Sequence, residues 1–255
     1  MCTVLFIPSN GRYLFVSLRD EDPFRAKANN PQIYEGENYR YLAPVDPKAG
    51  GTWAGINSYG NVMILLNGGF EKHKPAGQYR KSRGLIVKEL LQSVYPVVEW
   101  SLMDMGGIEP YTLITWSENN LFQLVWDGHS KHRMLLDTQQ PAIWSSATLY
   151  TPEAKEKRSQ LFDQWVHDQP FIDHKTVMKF FQSFKDYENG FLMHRSASLR
   201  TLSYSFIELQ PSVQAIYHYD DFSGSLTDEQ IIHTSGYSPD LSVLFSNASI
   251  APCKK

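Results

Sequence analysis

Apolar positions divide the chain into hairpin runs and helical blocks. Residues 4–7 and 13–18 are two apolar runs joined through Ser9-Asn10-Gly11. Asn-Gly between such runs predicts a β-hairpin, because both turn residues must accept positive φ. The return strand ends in Arg19-Asp20-Glu21, so the hairpin carries a charged cluster back to within a strand width or two of residue 2. Residues 23–51, rich in Pro, Asn and Gly and without a firm period, read as a long excursion loop. Residues 50–57 and 61–67 form a second hairpin about Ser58-Tyr59-Gly60. Its return strand is an unbroken apolar run, which predicts burial on both faces.

Ser82 is placed to cap a helix reaching about residue 94, with Ile86, Val87, Leu90, Leu91 and Val94 on one stripe. Residues 111–116 and 121–126 are strands joined around Glu118-Asn119-Asn120, and 133–136 is a third. Thr151-Pro152 opens a helix with a capping hydroxyl followed by proline at the first helical position. Its apolar positions are Ala154, Leu161, Phe162 and Trp165, and the charged run from Glu153 to Arg158 reads as a solvated face. Asp173 caps a further helix carrying Val177, Phe180, Phe181 and Phe184, and strands follow near 202–209 and 213–218. Asp220-Asp221 and Lys254-Lys255 read as surface. Hairpin runs separated by helices, rather than strict βα alternation, predict an α+β fold of antiparallel sheets with helices outside. Two stacked sheets flanked by helices would suit the doubly apolar strands. No repeat or linker interrupts the chain, so residues 1–255 are expected to form one domain.

Composition narrows the function classes. The chain is 42% hydrophobic and 20% charged with a net charge of -3, which excludes a disordered or collagenous class and argues against a polyanionic partner. No apolar run reaches the roughly 20 residues of a membrane helix, and the opening segment is too short and uncharged for a signal peptide. A soluble, cytoplasmic protein is expected. The two cysteines, Cys2 and Cys253, stand at opposite ends, which is no disulfide framework and fits a reducing compartment. There is no G-x-S-x-G elbow, P-loop, G-x-G-x-x-G or H-E-x-x-H. His129 and His132 lack a third ligand, so neither a metal nor another cofactor is expected.

Cys2 is open to two readings. It is a small residue at a strand start, or it becomes the N-terminus once the initiator methionine is trimmed. In the second case one residue carries a thiol and a free α-amine of pKa about 7.7 to 8.0, which can serve as its base.

Met-Cys at the start, Leu-Arg-Asp-Glu over 18–21, Gly-Gly-Thr-Trp-Ala-Gly-Ile over 50–56, the strand ending in Leu66-Asn67, and Ser-Arg-Gly over 82–84 occur here in one order. This resembles the NRDE family, the group of the transport and Golgi organization protein 2 homologues. The likeness is densest over residues 1 to about 95 and continues weakly to about 220. The family is similar to N-terminal nucleophile hydrolases of the choloylglycine hydrolase and penicillin V acylase type. The resemblance implies a four-layer αββα sandwich and hydrolysis of a linear non-peptide amide through a thioester on Cys2. It implies that Arg19 stabilises the thiolate, that Asp20 or Asp22 orients the amine, that Asn67 donates to the oxyanion, and that Arg195 helps close the site. Asp22, Trp53 and Ser146 are expected on the substrate side.

Two positions depart from the family pattern. Leu18 replaces the first Asn, and Ser146 stands where an Asn is expected, a side chain with one donor instead of two. An inactive fold used for ligand binding or trafficking support is therefore the alternative. The expected partner is a small-molecule amide or other small ligand, with no nucleic acid and no membrane span, and assembly into a homo-oligomer stays open.

Overall fold

The computed structural model describes residues 3–184, 186, 188–197, 199–224 and 226–235. Cys2, Cys253 and Lys254-Lys255 lie outside the described residues. Strand β1 (Thr3–Ser9) and β2 (Arg12–Glu21) form the first hairpin, with Asn10 at φ 49° and Gly11 at φ 78° in the turn. The expected excursion loop instead holds a hairpin, β3 (Asn29–Glu35) and β4 (Arg40–Val45). β3 is the edge strand of its sheet, carries Pro31 and exposes Asn29, Gln32 and Glu35 at a spacing of three rather than two, so no apolar alternation marks it in sequence. β5 (Ala54–Asn57) and β6 (Val62–Asn67) are the second hairpin, with β6 buried up to Leu66.

Helix α1 (Arg83–Leu90) starts after Ser82 and stops short of the expected end. The chain turns and begins α2 (Pro96–Leu102), with Pro96 in the first helical turn, where its missing N–H costs nothing. Strands β7 (Tyr111–Ser117), β8 (Asn120–Trp126) and β9 (Lys131–Leu136) follow, then a short β10 (Ala142–Ser145). α3 (Pro152–Asp168) is capped by Thr151 Oγ1, which accepts from Ala154 N–H. α4 (His174–Ser183) begins with a full capping box between Asp173 and Thr176. β11 (His194–Ser196), β12 (Leu199–Gln210), β13 (Gln214–Asp221) and β14 (Leu226–His233) complete the described elements.

Among the described residues the strands form two seven-stranded antiparallel sheets. One runs β10-β1-β2-β12-β13-β14, with β11 on β12; the other runs β3 to β9 in chain order. Val4, Phe6, Phe15, Tyr217 and Tyr219 of the first sheet share a core with Ile64 and Leu113 of the second. Ile86, Leu90 and Trp100 of α1 and α2 cover the second sheet's outer face. Leu5, Val16 and Leu18 on the opposite face of the first sheet pack on Phe162 of α3 and Val177 and Phe181 of α4. The layers are therefore α, β, β, α, as expected. No helix among the described residues is long and apolar enough to cross a membrane.

The charged run of α3 is not wholly solvated. Arg158 falls on the stripe of Ala154 and Phe162 at four-residue spacing and is only 1% exposed. Asp221 is also buried; its carboxylate accepts from Ser223 N–H at 2.8 Å and pairs with Lys27 at 3.7 Å.

Candidate functional site

The site is built where the head of the first hairpin meets the loop before β5. Strand pairing sets Thr3 opposite Leu18, and Arg19 opposite Ser203 of β12. Side chains alternate along β2, so Arg19 follows Phe15 to the space between the sheets, while Asp20 turns with Leu18 toward the outer helices. Arg19 is 4% exposed and lays its guanidinium on the Trp53 ring, 4.5 Å from the centroid. It donates from Nη2 to Asp46 Oδ2 at 3.1 Å, the same oxygen that Arg25 Nε reaches at 2.5 Å. Asp46 Oδ1 accepts the N–H groups of Lys48 and Ala49, closing the turn that leads to Gly51. Burial works against the Asp46 charge, but the Arg25 and Ala49 hydrogen bonds and the nearby Arg25 and Arg19 charges outweigh it and hold its pKa below the usual carboxylate value. Sequence reading passed over Asp46. Its signal was Asp-Pro followed by Gly50-Gly51, a turn opener in a stretch that reads as loop.

Two glycines bring Trp53 and α1 together. A Cβ on Gly51 would stand 2.4 Å from the carbonyl carbon of Gly84, and a Cβ on Gly84 3.0 Å from Thr52 O. Thr52 N–H donates to Gly84 O at 3.0 Å across this crossing. The Gly-Gly-Thr-Trp and Ser-Arg-Gly segments are thus the two halves of one backbone contact. A cavity of about 150 Å³ beside it is lined by Arg19, Glu21, Arg25, Asp46, Trp53 and Asn67, among others. Glu21, rather than Asp20, shares this cavity with Arg19.

Asn67 ends β6 opposite Tyr111. Gly68 follows at φ 84°, where a Cβ would meet Thr148 Cγ2 at 3.0 Å, so the absent side chain lets the 145–148 segment approach. Ser146, fully buried, donates from Oγ to Asn67 O at 2.9 Å and accepts from Thr148 N–H at 3.3 Å. Among the described residues the Asn67 carboxamide makes no hydrogen bond, so its NH2 group is uncommitted. Asn67 and Ser146 also line a larger cavity of about 450 Å³ with Phe70, Ile143, Trp144 and Lys155, whose pKa burial lowers.

The remaining candidates gather on the helix side. Asp20 is 3% exposed; Thr201 Oγ1 donates to Oδ1 at 2.5 Å and Tyr150 OH to Oδ2 at 3.3 Å. Arg195 donates to Leu149 O at 2.9 Å and twice to Glu188 O, with its guanidinium 5.7 Å from the Tyr150 centroid. Among the described residues Arg195 is linked to Asp20 through Tyr150, and it lines neither cavity. Asp22 accepts from Phe24 N–H at 2.9 Å and turns the chain out of β2. Arg158 went unread as a functional candidate. It donates to Thr3 Oγ1, to Ser145 Oγ at 3.1 Å and to the carbonyls of Asn189 and Gly190, between the rings of Tyr150 and Phe191. His132 pairs with Asp127 at 2.6 Å, and no group of described residues has the makings of a metal site.

The same architecture recurs in solved structures. A variant of conjugated bile acid hydrolase from Clostridium perfringens superposes with a TM-score of 0.58 at 13% identity, over 94% of this chain and 100% of that one. A second mutant of that enzyme gives 0.58 at 13%, over 93% and 97%. The N-acylethanolamine-hydrolyzing acid amidase ortholog of Caenorhabditis elegans gives 0.55 at 9%, over 81% and 92%. Identities this low establish the shared fold, that of the N-terminal nucleophile hydrolases. No curated protein matches the sequence. The family model described as Transport and Golgi organisation 2 matches residues 1–224, and the chain belongs to that family.

Proposed function

We propose that this protein is a cysteine N-terminal nucleophile hydrolase acting on a linear non-peptide amide. The observation that carries the reading is the pairing of Thr3 with Leu18, which sets the residue after Cys2 one position from Arg19 and its cavity. With Met1 removed, the Cys2 α-amine takes the thiol proton and the thiolate attacks the amide carbon. A nearby guanidinium favours the thiolate, the role given to Arg19. The Asn67 carboxamide donates to the developing oxyanion, a contribution of about 3 kcal/mol for donors of this kind. The ammonium returns its proton to the leaving nitrogen, the C–N bond breaks, and a thioester remains. Water, deprotonated by the same amine, then releases the acid and the thiol. Asp20, anchored by Thr201 and Tyr150, fixes the end of β2 that presents Arg19, and Arg195 holds the Leu149 and Glu188 carbonyls around Tyr150. A cytoplasmic location belongs to the same proposal, since methionine trimming acts on cytosolic chains.

Intact mass of the native protein should show a chain beginning at Cys2, and a thiol-directed electrophile should label Cys2 much faster than Cys253 at about pH 7. Retention of Met1 would sink the mechanism, because residue 2 would then have no free amine. One observation favours an inactive, ligand-binding fold instead: the single Ser146 proton is given to Asn67 O, leaving none for an oxyanion. Absence of turnover across a screen of acyl amides, with Cys2 exposed and reactive, would select that second reading.

A further inference from the structure

Trp53 is 3% exposed and lines the 150 Å³ cavity, yet among the described residues its indole Nε1–H is buried with no hydrogen-bond partner. A buried donor left without an acceptor forfeits its hydration with nothing in return, and native structures rarely leave one so. Its surroundings favour an anionic acceptor. Arg19 lies on the same indole and Arg25 lines the same cavity, whereas Arg83, also on its wall, is paired with Glu109 at 2.9 Å and donates to Pro110 O at 3.1 Å. Two carboxylates also face it, and both are engaged. Asp46 takes Arg19, Arg25 and two backbone N–H groups, and Glu21 Oε1 accepts from Asp22 N–H at 3.0 Å. Arg25 meets Asp46 through Nε, so that pair leaves its terminal nitrogens unengaged. Ser82, Arg83 and Gly84, the start of α1, complete the wall, and the Ser82 side chain makes no capping bond. The first N–H groups of a helix carry partial positive charge and suit an anion.

We propose that this cavity binds the anionic oxygen group, carboxylate or phosphate, of a small organic ligand, with Trp53 Nε1–H as its buried donor and Arg25 as its cation. As a statement about substrate it rests on the hydrolase reading; as a statement about binding it needs no thiol chemistry. The volume suits a head group with few adjoining atoms. The larger cavity, which shares Asn67 and carries Phe70, Ile143 and Trp144, would take an apolar remainder.

The test is titration of the ¹⁵N-labelled full chain with hexanoate, hexyl phosphate, inorganic phosphate and hexanol, following the indole N–H resonances, with Trp53→Phe identifying the relevant one. Hexanoate or hexyl phosphate should shift the Trp53 resonance saturably, and hexanol should not. Arg25→Gln, at a partly exposed side chain, should weaken binding at least tenfold, and Glu21→Gln should tighten it. Saturable binding of inorganic phosphate alone would support a free anion as ligand, and a response to hexanoate alone a carboxylate. An unmoved Trp53 resonance with every anion, or an equal response to hexanol, would overturn the proposal. The Cys2→Ala chain should bind like the wild type. Binding without turnover would keep this site while the hydrolase reading fails, and turnover of neutral amides without anion binding would do the reverse.

Discussion

Arg158 on α3 donates to the hydroxyl of Thr3 on β1, a contact between residues 155 apart in sequence. Among the described residues no carboxylate forms a salt bridge with this guanidinium, so its charge is satisfied by hydroxyls, two carbonyls and the Tyr150 and Phe191 ring faces. Arg158→Met should cost about 3 kcal/mol or more, because several buried acceptors lose their donor at about 1 to 3 kcal/mol each. Arg158→Lys should recover only part of that, since an ammonium cannot reproduce the planar fork. Urea unfolding of the three proteins measures the difference; equal midpoints would show that the network contributes nothing.

The Gly51–Gly84 crossing has no room for a methyl group. Gly51→Ala puts Cβ 2.4 Å from a backbone carbon and should destabilise by about 2 kcal/mol or more, since backbone rather than a flexible side chain must move. Gly11→Ala is the control: its positive φ costs about 1 kcal/mol, but nothing lies within 4 Å of the new Cβ. Thermal melts in which Gly11→Ala is the more damaging would contradict the crossing.

Asp46 gives a pH signature. Its folded pKa lies below the unfolded value, so its contribution is present above the unfolded carboxylate pKa of about 3.9 and is lost as pH falls through the lower folded value. Asp46→Asn should therefore be less stable than wild type near neutrality, and the gap should close below about pH 4. Urea midpoints across that range test this. A gap that persists unchanged at acid pH would mean the carboxylate charge is not what matters.

Asn67 should separate stability from chemistry. Its carboxamide makes no hydrogen bond among the described residues, so Asn67→Ala should change stability by less than about 0.5 kcal/mol. Loss of an oxyanion donor should nonetheless lower kcat by about 10² to 10³ once a turned-over amide is in hand, with little change in KM. A variant that loses stability and keeps its rate would make Asn67 a structural strand end.

Local rules acting on the sequence are enough for the Asn10-Gly11 turn, the doubly buried β6, the Thr151-Pro152 and Asp173 caps, and the hairpin order that predicts stacked antiparallel sheets. These follow from φ limits, capping and periodicity, which act over a few residues. Other features depend on contacts made after folding. β3 is a strand because β4 offers it a free edge, and Arg158 is buried because the chain end and the 189–190 carbonyls meet it there. Arg19 and Asp20, adjacent in sequence and joined in one family motif, are sent to opposite faces of β2 by the pleat. Glu21 shares the Arg19 face of β2 by the same alternation, whereas Asp46 joins Arg19 at the cavity because the Gly51–Gly84 crossing folds the loop that carries it against the strand. Partners such as Asp46 for Arg19 and the 189–190 carbonyls for Arg158 are chosen by packing between segments far apart in the chain, and no local pattern encodes them.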